Sequence, residues 1–153
     1  LGGENAQGSA GVISTVTRTE GSVAYSDDSV VDDSLGTVNL KVGEQYVPIS
    51  AEAASIAVEQ ATRVPGRSDH DIALHLDRTT TAPGAYPLVL ISYQIFCSGY
   101  EDADTVELVK TFGQYVISPE GQEASAEAAK SAPIPQGLAE DAKAAIESIT
   151  TLP

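Results

Sequence analysis

The longest apolar stretch of this chain, from Tyr86 to Cys97, predicts a strand that is buried on both faces. Its residues 88–91 are Leu-Val-Leu-Ile, with no polar residue between them. A strand with one wet face alternates apolar and polar side chains, whereas a central strand covered by helices does not. Pro87 stands near the start of the stretch, where a strand tolerates the missing N–H donor. Ser98-Gly99 is expected to close this central strand.

Shorter elements are predicted before the central strand. Val12, Ile13 and Val16 mark one face of a helix that Ser9 is expected to cap and that ends before Gly21. A strand is predicted over 22–25, followed by a helix that is capped within Ser26–Asp28 and has Val30, Val31 and Leu35 on its apolar side. A hairpin of strands 37–40 and 46–49 comes next. It is followed by a helix capped by Ser50 and by a half-buried strand within 69–77.

Three helices are predicted after the central strand. Asp102 or Asp104 caps the first, and Ser118 with Pro119 begins the second. An extended linker, 131–135, leads to the last. The apolar stripes are Val106, Val109, Phe112 or Gly113, and Val116 on the first helix, and Leu138, Ala142, Ala145 and Ile149 on the last. The alternation of helices with a doubly buried strand indicates an α/β fold.

The charge of the chain excludes some classes of partner. Its 153 residues could form one ordinary domain, and 8 Lys and Arg stand against 22 Asp and Glu, giving a net charge of −14. Such a surface repels nucleic acid and anionic lipid, so we predict a soluble, secreted or surface-exposed protein.

No run reaches the roughly 18 apolar residues of a membrane span. The chain opens at Leu1 and contains no Met. We therefore expect a piece of a longer protein, in which a missing export signal means little.

Cys97 is the single cysteine, so the chain has no internal disulfide framework. Its apolar neighbours predict a buried free thiol, or half of a bridge to a segment outside the chain. A reactive thiol is the least favoured alternative, because apolar and acidic surroundings raise a thiol pKa.

The two histidines raise the question of a metal-dependent enzyme. Asp71, His75 and Asp77 fall on the polar face of the strand predicted there, where imidazole and carboxylate can converge on a metal. A solvated strand face with a His–Asp pair is the simpler interpretation, so we predict no metal site. Gly-rich residues 1–11 contain neither a nucleotide-binding loop nor a nucleophile elbow. We assign no catalytic residue and no cofactor.

Several segments resemble, in order and spacing, the C-terminal half of the phosphate-binding proteins of ABC transporters, the PstS family. Residues 1–12 look like the family's Gly-rich loop and following helix, and 20–25 look like its next strand. Residues 84–95 are similar to the strand that returns to the other lobe. Residues 111–122 and 132–135 resemble the closing helices and their Pro-rich linker.

The resemblance implies an α/β portion of a two-lobed, type II periplasmic-binding-protein-like fold, with a mixed sheet flanked by helices. Residues 1–85 would belong to the second lobe, and 86–153 would return to the first. The implied function is a fragment of an extracytoplasmic protein, periplasmic or at the cell surface, that captures inorganic phosphate and delivers it to an ABC permease. It would not be an enzyme. The alternatives are a binding protein for another anion or small solute and, less favoured, an enzyme with a His/Asp metal site.

The resemblance carries no ligand contact onto this chain. The family holds phosphate largely with backbone N–H groups at helix starts, and its contact residues lie in its N-terminal half. Arg67-Ser68-Asp69 is similar to the first three residues of the family's Arg-x-Asp-x-Ser-Gly-Thr segment, but the next residues differ, and the segment follows the Gly-rich loop instead of preceding it. An acidic surface is compatible with anion binding, because helix dipoles act within a few Å and surface charge is screened beyond a Debye length of roughly 8 Å.

Overall fold

The computed structural model describes residues 3–153 as a mixture of helices and very short strands. Leu1 and Gly2, the start of the predicted Gly-rich loop, lie outside the described residues. The helices are α1 (Gly8–Arg18), α2 (Ala51–Glu59), α3 (Ala103–Ile117), α4 (Pro119–Ala129) and α5 (Gln136–Glu147), with a 3-10 turn at Asp28–Val30. The strands are β1 (Leu40–Val42), β2 (Gln45–Val47), β3 (Thr62–Arg63), β4 (Leu74–His75), β5 (Gly99–Tyr100) and β6 (Thr150–Thr151).

The strands form three separate two-stranded sheets instead of one mixed sheet. The β1–β2 and β3–β4 pairs are antiparallel, and β5 pairs with β6 in parallel. The predicted combination of helices and strands is therefore confirmed, but the predicted mixed sheet is wrong for the described residues. The reason is that its expected centre, the strand from Tyr86 to Cys97, has no strand beside it within residues 3–153.

The hairpin and α2 form a first small core. Leu40 pairs with Val47 across the hairpin, and Gly43 makes the turn with a φ of 58°, which favours glycine. The core side chains are Val42, Val47 and Ala53, with Leu40 and Tyr86 against them. Ser50 caps α2 as predicted, since its hydroxyl accepts the Ala53 N–H at 3.1 Å.

A second core lies between α3 and α5. Ala142, Ile146 and Ile149 are buried on or next to α5, and Gly113 of α3 is buried opposite them. A Cβ at Gly113 would lie 3.1 Å from Ile146 Cδ1, so the glycine lets the two helices approach closely. Of the predicted stripe, Ala142 and Ile149 are buried, whereas Leu138 and Ala145 are only half-buried, and Ile146, which the prediction left out, is buried. The parallel β5–β6 pair flanks this core.

Two predictions near the N-terminus are wrong. Residues 22–25 pair with no strand in the described chain, and the helix expected after Asp27 is a single 3-10 turn. Asp27 does cap that turn by accepting the Ser29 N–H, but the Asp32 carboxylate then binds the Ser34 N–H at 2.8 Å. A local side-chain turn of this kind competes with helix propagation.

The helix caps elsewhere follow the sequence, with one exception. Asp102 caps α3, and Ser118 caps α4 by accepting the Gly121 N–H at 3.1 Å. Ser9 does not cap α1, because the helix begins two residues earlier than predicted, at Gly8, and its N-cap Gln7 makes no side-chain cap bond. Within the described residues, no helix combines the length and the apolar composition that crossing a bilayer requires.

We expect the Asp102 cap to make stability depend on pH. Its carboxylate accepts the Thr105 hydroxyl at 2.7 Å and the Thr105 N–H at 3.0 Å, and these bonds lower the pKa of Asp102 below its ordinary value. A carboxyl whose pKa is lower in the folded state adds stability above its unfolded pKa and loses it as pH falls through the folded pKa. The Asp102→Asn variant keeps a capping oxygen without that titration.

Urea unfolding of the wild type and Asp102→Asn at about pH 7 and about pH 2 tests this expectation. The wild type should be the more stable of the two near neutrality, and the difference should shrink in acid. A difference that persists or grows at the lower pH would contradict it.

Candidate functional site: an open strand and an apolar helix face

The segment after Tyr86 is anchored at its start. Tyr86 packs against the first core, and its N–H donates to the Ala53 carbonyl at 2.9 Å. Burial raises the pKa of the Tyr86 hydroxyl above its ordinary value. The Arg78 guanidinium donates to the Pro87 carbonyl at 2.5 Å. The chain therefore leaves the first core at a fixed point and in a fixed direction.

Beyond this anchor, residues 88–96 belong to no helix and to no paired strand of the described chain, and we call them the open strand. None of their backbone groups makes a backbone hydrogen bond to another residue of the described chain. Leu90 and Ile95 are 80% and 91% exposed. The predicted burial of this strand on both faces is wrong for residues 3–153, because no strand among them pairs with it and side chains on it are exposed. Exposed apolar groups beside unpaired backbone mark a surface that another element can cover.

A second apolar surface lies on α3, and we call it the α3 stripe. Leu108, Phe112 and Tyr115 are 69%, 49% and 53% exposed and recur at helical spacing. The Phe112 ring meets the Phe96 ring edge to face, with centroids 6.4 Å apart. The contact joins the α3 stripe to the end of the open strand. The sequence contained this signal in the 108, 112, 115 spacing, but the prediction treated Phe112 only as an alternative to Gly113.

The exposed area of the chain is large for its mass. It is 10604 Å² for 15.8 kDa, whereas a compact monomer of that mass exposes about 7300 Å². The excess of roughly 3300 Å² exceeds the area that one partner buries in a standard interface, about 800 Å². The open strand and the α3 stripe contribute to this excess.

Cys97 is exposed, at the end of the open strand. The buried-thiol prediction is therefore wrong here, and for the same reason: the burial depended on a covered strand. The Cys97 N–H donates to the Tyr100 hydroxyl at 3.0 Å, which fixes the backbone and leaves the thiol open to reagents.

We expect the Cys97 thiol of this chain to react with an aromatic disulfide reagent in the native state nearly as fast as in about 6 M guanidinium chloride. Buried thiols react only through opening, so exposure removes that delay. The absorbance of the released thiolate measures both rates. A native rate lower by 100-fold or more, about 2.7 kcal/mol of protection, would contradict the exposed position.

The histidine region forms a solvated turn and strand edge. The Asp71 carboxylate accepts the Ala73 N–H at 3.1 Å and the Arg67 guanidinium at 2.9 Å, and these bonds lower the pKa of Asp71. Asp77 accepts the Thr79 hydroxyl and N–H, which lower its pKa, with a smaller effect from His75. Among residues 3–153, no three His, Cys, Asp or Glu side chains meet as a metal site.

The Arg67-Ser68-Asp69 segment does not form an anion site. Its guanidinium is paired with Asp71, and the segment lies in a turn between β3 and β4 instead of at a helix start. A shallow groove of about 330 Å³ lies nearby, between the end of α2 and the start of α5. Its lining includes Leu74, Leu138 and the carboxylate-bearing Glu59. A mostly apolar groove with an acidic residue disfavours a bound anion.

Comparison with known proteins identifies relatives that match most or nearly all of this chain. The chain is 32% identical over 155 aligned residues to the phosphate-binding protein PstS2 of Mycobacterium bovis (strain BCG / Pasteur 1173P2) and to PstS 2 of Mycobacterium tuberculosis (strain ATCC 25618 / H37Rv). In both cases the match covers 97% of this chain and 40% of the relative. PstS 3 of Mycobacterium leprae (strain TN) is 34% identical over 122 residues, covering 75% of this chain and 32% of the relative.

Neither of the other two comparisons adds to these relatives. No protein-family model matches the chain, and no solved structure matches it significantly. The chain spans about two fifths of the length of the first relatives. The predicted resemblance is confirmed: this chain belongs with the PstS phosphate-binding proteins, which it matches over nearly its whole length.

Proposed function

We propose that this chain is part of a longer extracytoplasmic phosphate-binding protein, which we call the parent protein. The observation that supports this proposal is the match of 97% of the chain to relatives named PstS, of which it spans 40%. The role of the parent protein would be to capture inorganic phosphate outside the membrane and deliver it to an ABC permease. No catalytic role and no cofactor are part of the proposal.

Within the parent protein, we place residues 1–85 in the second lobe of a type II binding fold and 86–153 in the segment that returns to the first. The separate cores support this division, since one contains Val42, Val47 and Ala53 and the other lies between α3 and α5. The anchored start of the open strand would be part of the hinge. Binding proteins of this kind work by closing their lobes on the ligand.

Beyond the anchor at Tyr86, several contacts between the two parts are polar and exposed. Lys130 Nζ donates to the carbonyls of Asp28 at 3.0 Å and Val31 at 3.2 Å, and Arg63 pairs with Asp141 at 2.5 Å. Small, polar contacts between domains permit relative motion, whereas a large apolar interface does not. This supports a mobile arrangement of the two parts.

We place the phosphate contacts in the part of the parent protein outside this chain. Two observations support that placement. Arg67, the residue most similar to the family's anion-binding arginine, is paired with Asp71. The groove near α5 contains Glu59 and no basic residue in its lining.

The permease would recognise and bind the surface that the closed lobes present. An acidic surface suits Lys or Arg on the partner, and Asp27 and Asp28 are one adjacent acidic pair of the chain. Asp27 caps the 3-10 turn, and Asp28 lies 3.5 Å from Lys130, so reversing their charges would also perturb the fold. Glu123 and Glu127, both exposed on α4, are the better pair for charge reversal. Phosphate uptake unchanged by both Lys substitutions would exclude the α4 patch.

Calorimetric titration of the parent protein with phosphate, and with sulfate as control, tests the proposed function. Binding of phosphate without binding of sulfate is the expected result. Binding of sulfate alone, or of neither anion, would overturn the phosphate assignment and move the function to another solute.

A further inference from the structure

Two ion pairs join the two parts of the chain described above. The Arg63 guanidinium, in β3, lies 2.5 Å from the Asp141 carboxylate of α5, and the Lys130 amine lies 3.5 Å from the Asp28 carboxylate. The other ion pairs among the described residues are local, since each joins side chains four residues apart. Each part therefore contributes one cation and one carboxylate to the contact between the parts.

Lys130 is held by more than its ion pair. Its amine also donates to the carbonyls of Asp28 and Val31, at 3.0 and 3.2 Å. One amine thus interacts with three oxygens of the 3-10 turn and its C-cap. The backbone of Lys130 ends α4 with a φ of 49°, the left-handed conformation that glycine usually adopts at a helix end. Glycine would fit that conformation better but could not reach the other part of the chain.

Arg63 is also held on both sides. One nitrogen of its guanidinium donates to the Asp69 carbonyl at 3.2 Å, in the turn between β3 and β4, and the other pairs with Asp141. A third polar contact joins the parts where the Ser55 hydroxyl of α2 donates to the Pro133 carbonyl at 3.2 Å. The two parts are therefore connected through α4, the linker before α5, and α5 itself.

A gap remains between the parts beside these polar contacts. The groove of about 330 Å³ is lined by Val58 and Glu59 at the end of α2 and by Gln136 and Leu138 of α5. Closely packed interiors contain few voids larger than a water molecule. Polar side-chain contacts, and not close apolar packing, therefore hold α2 and α5 in their relative position.

On the basis of the proposed function, which assigns the two parts to different lobes, we propose that Lys130 and Arg63 form a releasable electrostatic contact between the lobes of the parent protein, which we call the clasp. The clasp favours the arrangement of the two parts seen here, and its release lets the lobes move relative to each other. Its charged side chains are 32% to 50% exposed. Water can therefore solvate the separated charges, and salt weakens the clasp.

Distance measurement between two spin labels in the parent protein tests the clasp. Glu44→Cys and Glu123→Cys place one label on each part at exposed positions, in a Cys97→Ser background. We expect Arg63→Asp and Asp141→Arg each to broaden the distance distribution, because each change brings like charges together. Loss of one exposed ion pair should raise the population of the other distances by roughly two- to fivefold. The double variant exchanges the two charges and should restore the narrow distribution.

A second variant tests the clasp without reversing a charge. Lys130→Met removes the amine while keeping an unbranched side chain, and it should also broaden the distribution. Raising the salt concentration should broaden the distribution of the protein without clasp changes, because the charges are exposed. The matched control is the local pair of α5, in which Lys143→Glu and Glu147→Lys, alone or together, should leave the distances unchanged.

Distances that respond neither to Arg63→Asp nor to Lys130→Met would overturn the clasp. Broadening that the exchanged pair does not restore would overturn it too, since the single changes would then act without the pairing. Phosphate titration of the same samples separates this proposal from the proposed function. A parent protein that binds phosphate while its distances ignore these changes would reject the clasp alone. One that binds no phosphate, but whose distances broaden and are restored, would reject the function alone.

Discussion

Replacing Gly121 with Ala should destabilise the chain by about 3 kcal/mol, the upper part of the range for overpacking. Gly121 is buried in the first turn of α4, where α3 and α4 meet at Ser118. A Cβ at this position would overlap the Tyr115 carbonyl oxygen and lie 2.9 Å from its carbonyl carbon. Backbone atoms of a helix end cannot move aside as a flexible side chain can. The junction between the two helices must therefore shift.

The Gly137→Ala variant is the matched control for this prediction. Gly137 lies in α5, and a Cβ there would meet nothing within 4 Å. Ala is favoured over Gly inside a helix by about 0.5–1 kcal/mol, so this variant should be slightly more stable than the wild type. Urea unfolding midpoints measure both changes. A Gly121→Ala midpoint indistinguishable from the wild type would contradict the close junction.

Sedimentation velocity of this chain alone should show self-association that increases with salt. The open strand and the α3 stripe expose more apolar surface than a monomer usually tolerates. The net charge of −14 opposes association at low ionic strength, and about 0.15 M salt reduces the Debye length to roughly 8 Å. The Leu90→Glu, Ile95→Glu variant should return the chain toward the monomer, and Val23→Glu should not.

A clean monomer at every salt concentration would contradict this expectation. It would mean that the exposed side chains of the open strand fold back on the chain in solution. The Cys97 rate described above would then also fall, because the thiol lies at the end of the same segment.

Local signals in the sequence were sufficient for most helices. Ser50, Asp102 and Ser118 cap the predicted helices, since each oxygen needs only an N–H two or three residues ahead. The α5 helix and its buried Ala142 were found because helical periodicity is set by the helix itself, but the predicted stripe left out Ile146. Ser9 failed as a cap because α1 begins at Gly8, whose φ of 67° lets the chain turn into the helix earlier.

The predictions that failed depend on contacts between segments that are far apart in the sequence. The apolar composition of residues 88–91 predicts a buried strand, but burial also needs neighbouring strands, and none of the described strands pairs with this segment. The error for Cys97 follows from the same cause. Residues 22–25 likewise have a strand-like composition, but none of the strands within residues 3–153 pairs with them. For the candidate site, the sequence supplied the family and the segment, whereas the α3 stripe required the Phe96–Phe112 contact to be recognised.

The most direct measurement is an equilibrium phosphate titration of this chain and of the parent protein in the same buffer. We predict binding to the parent protein and no detectable binding to this chain, because we place the anion contacts in the rest of the parent protein. Micromolar affinity of this chain alone would contradict that placement and would put the phosphate site within these 153 residues.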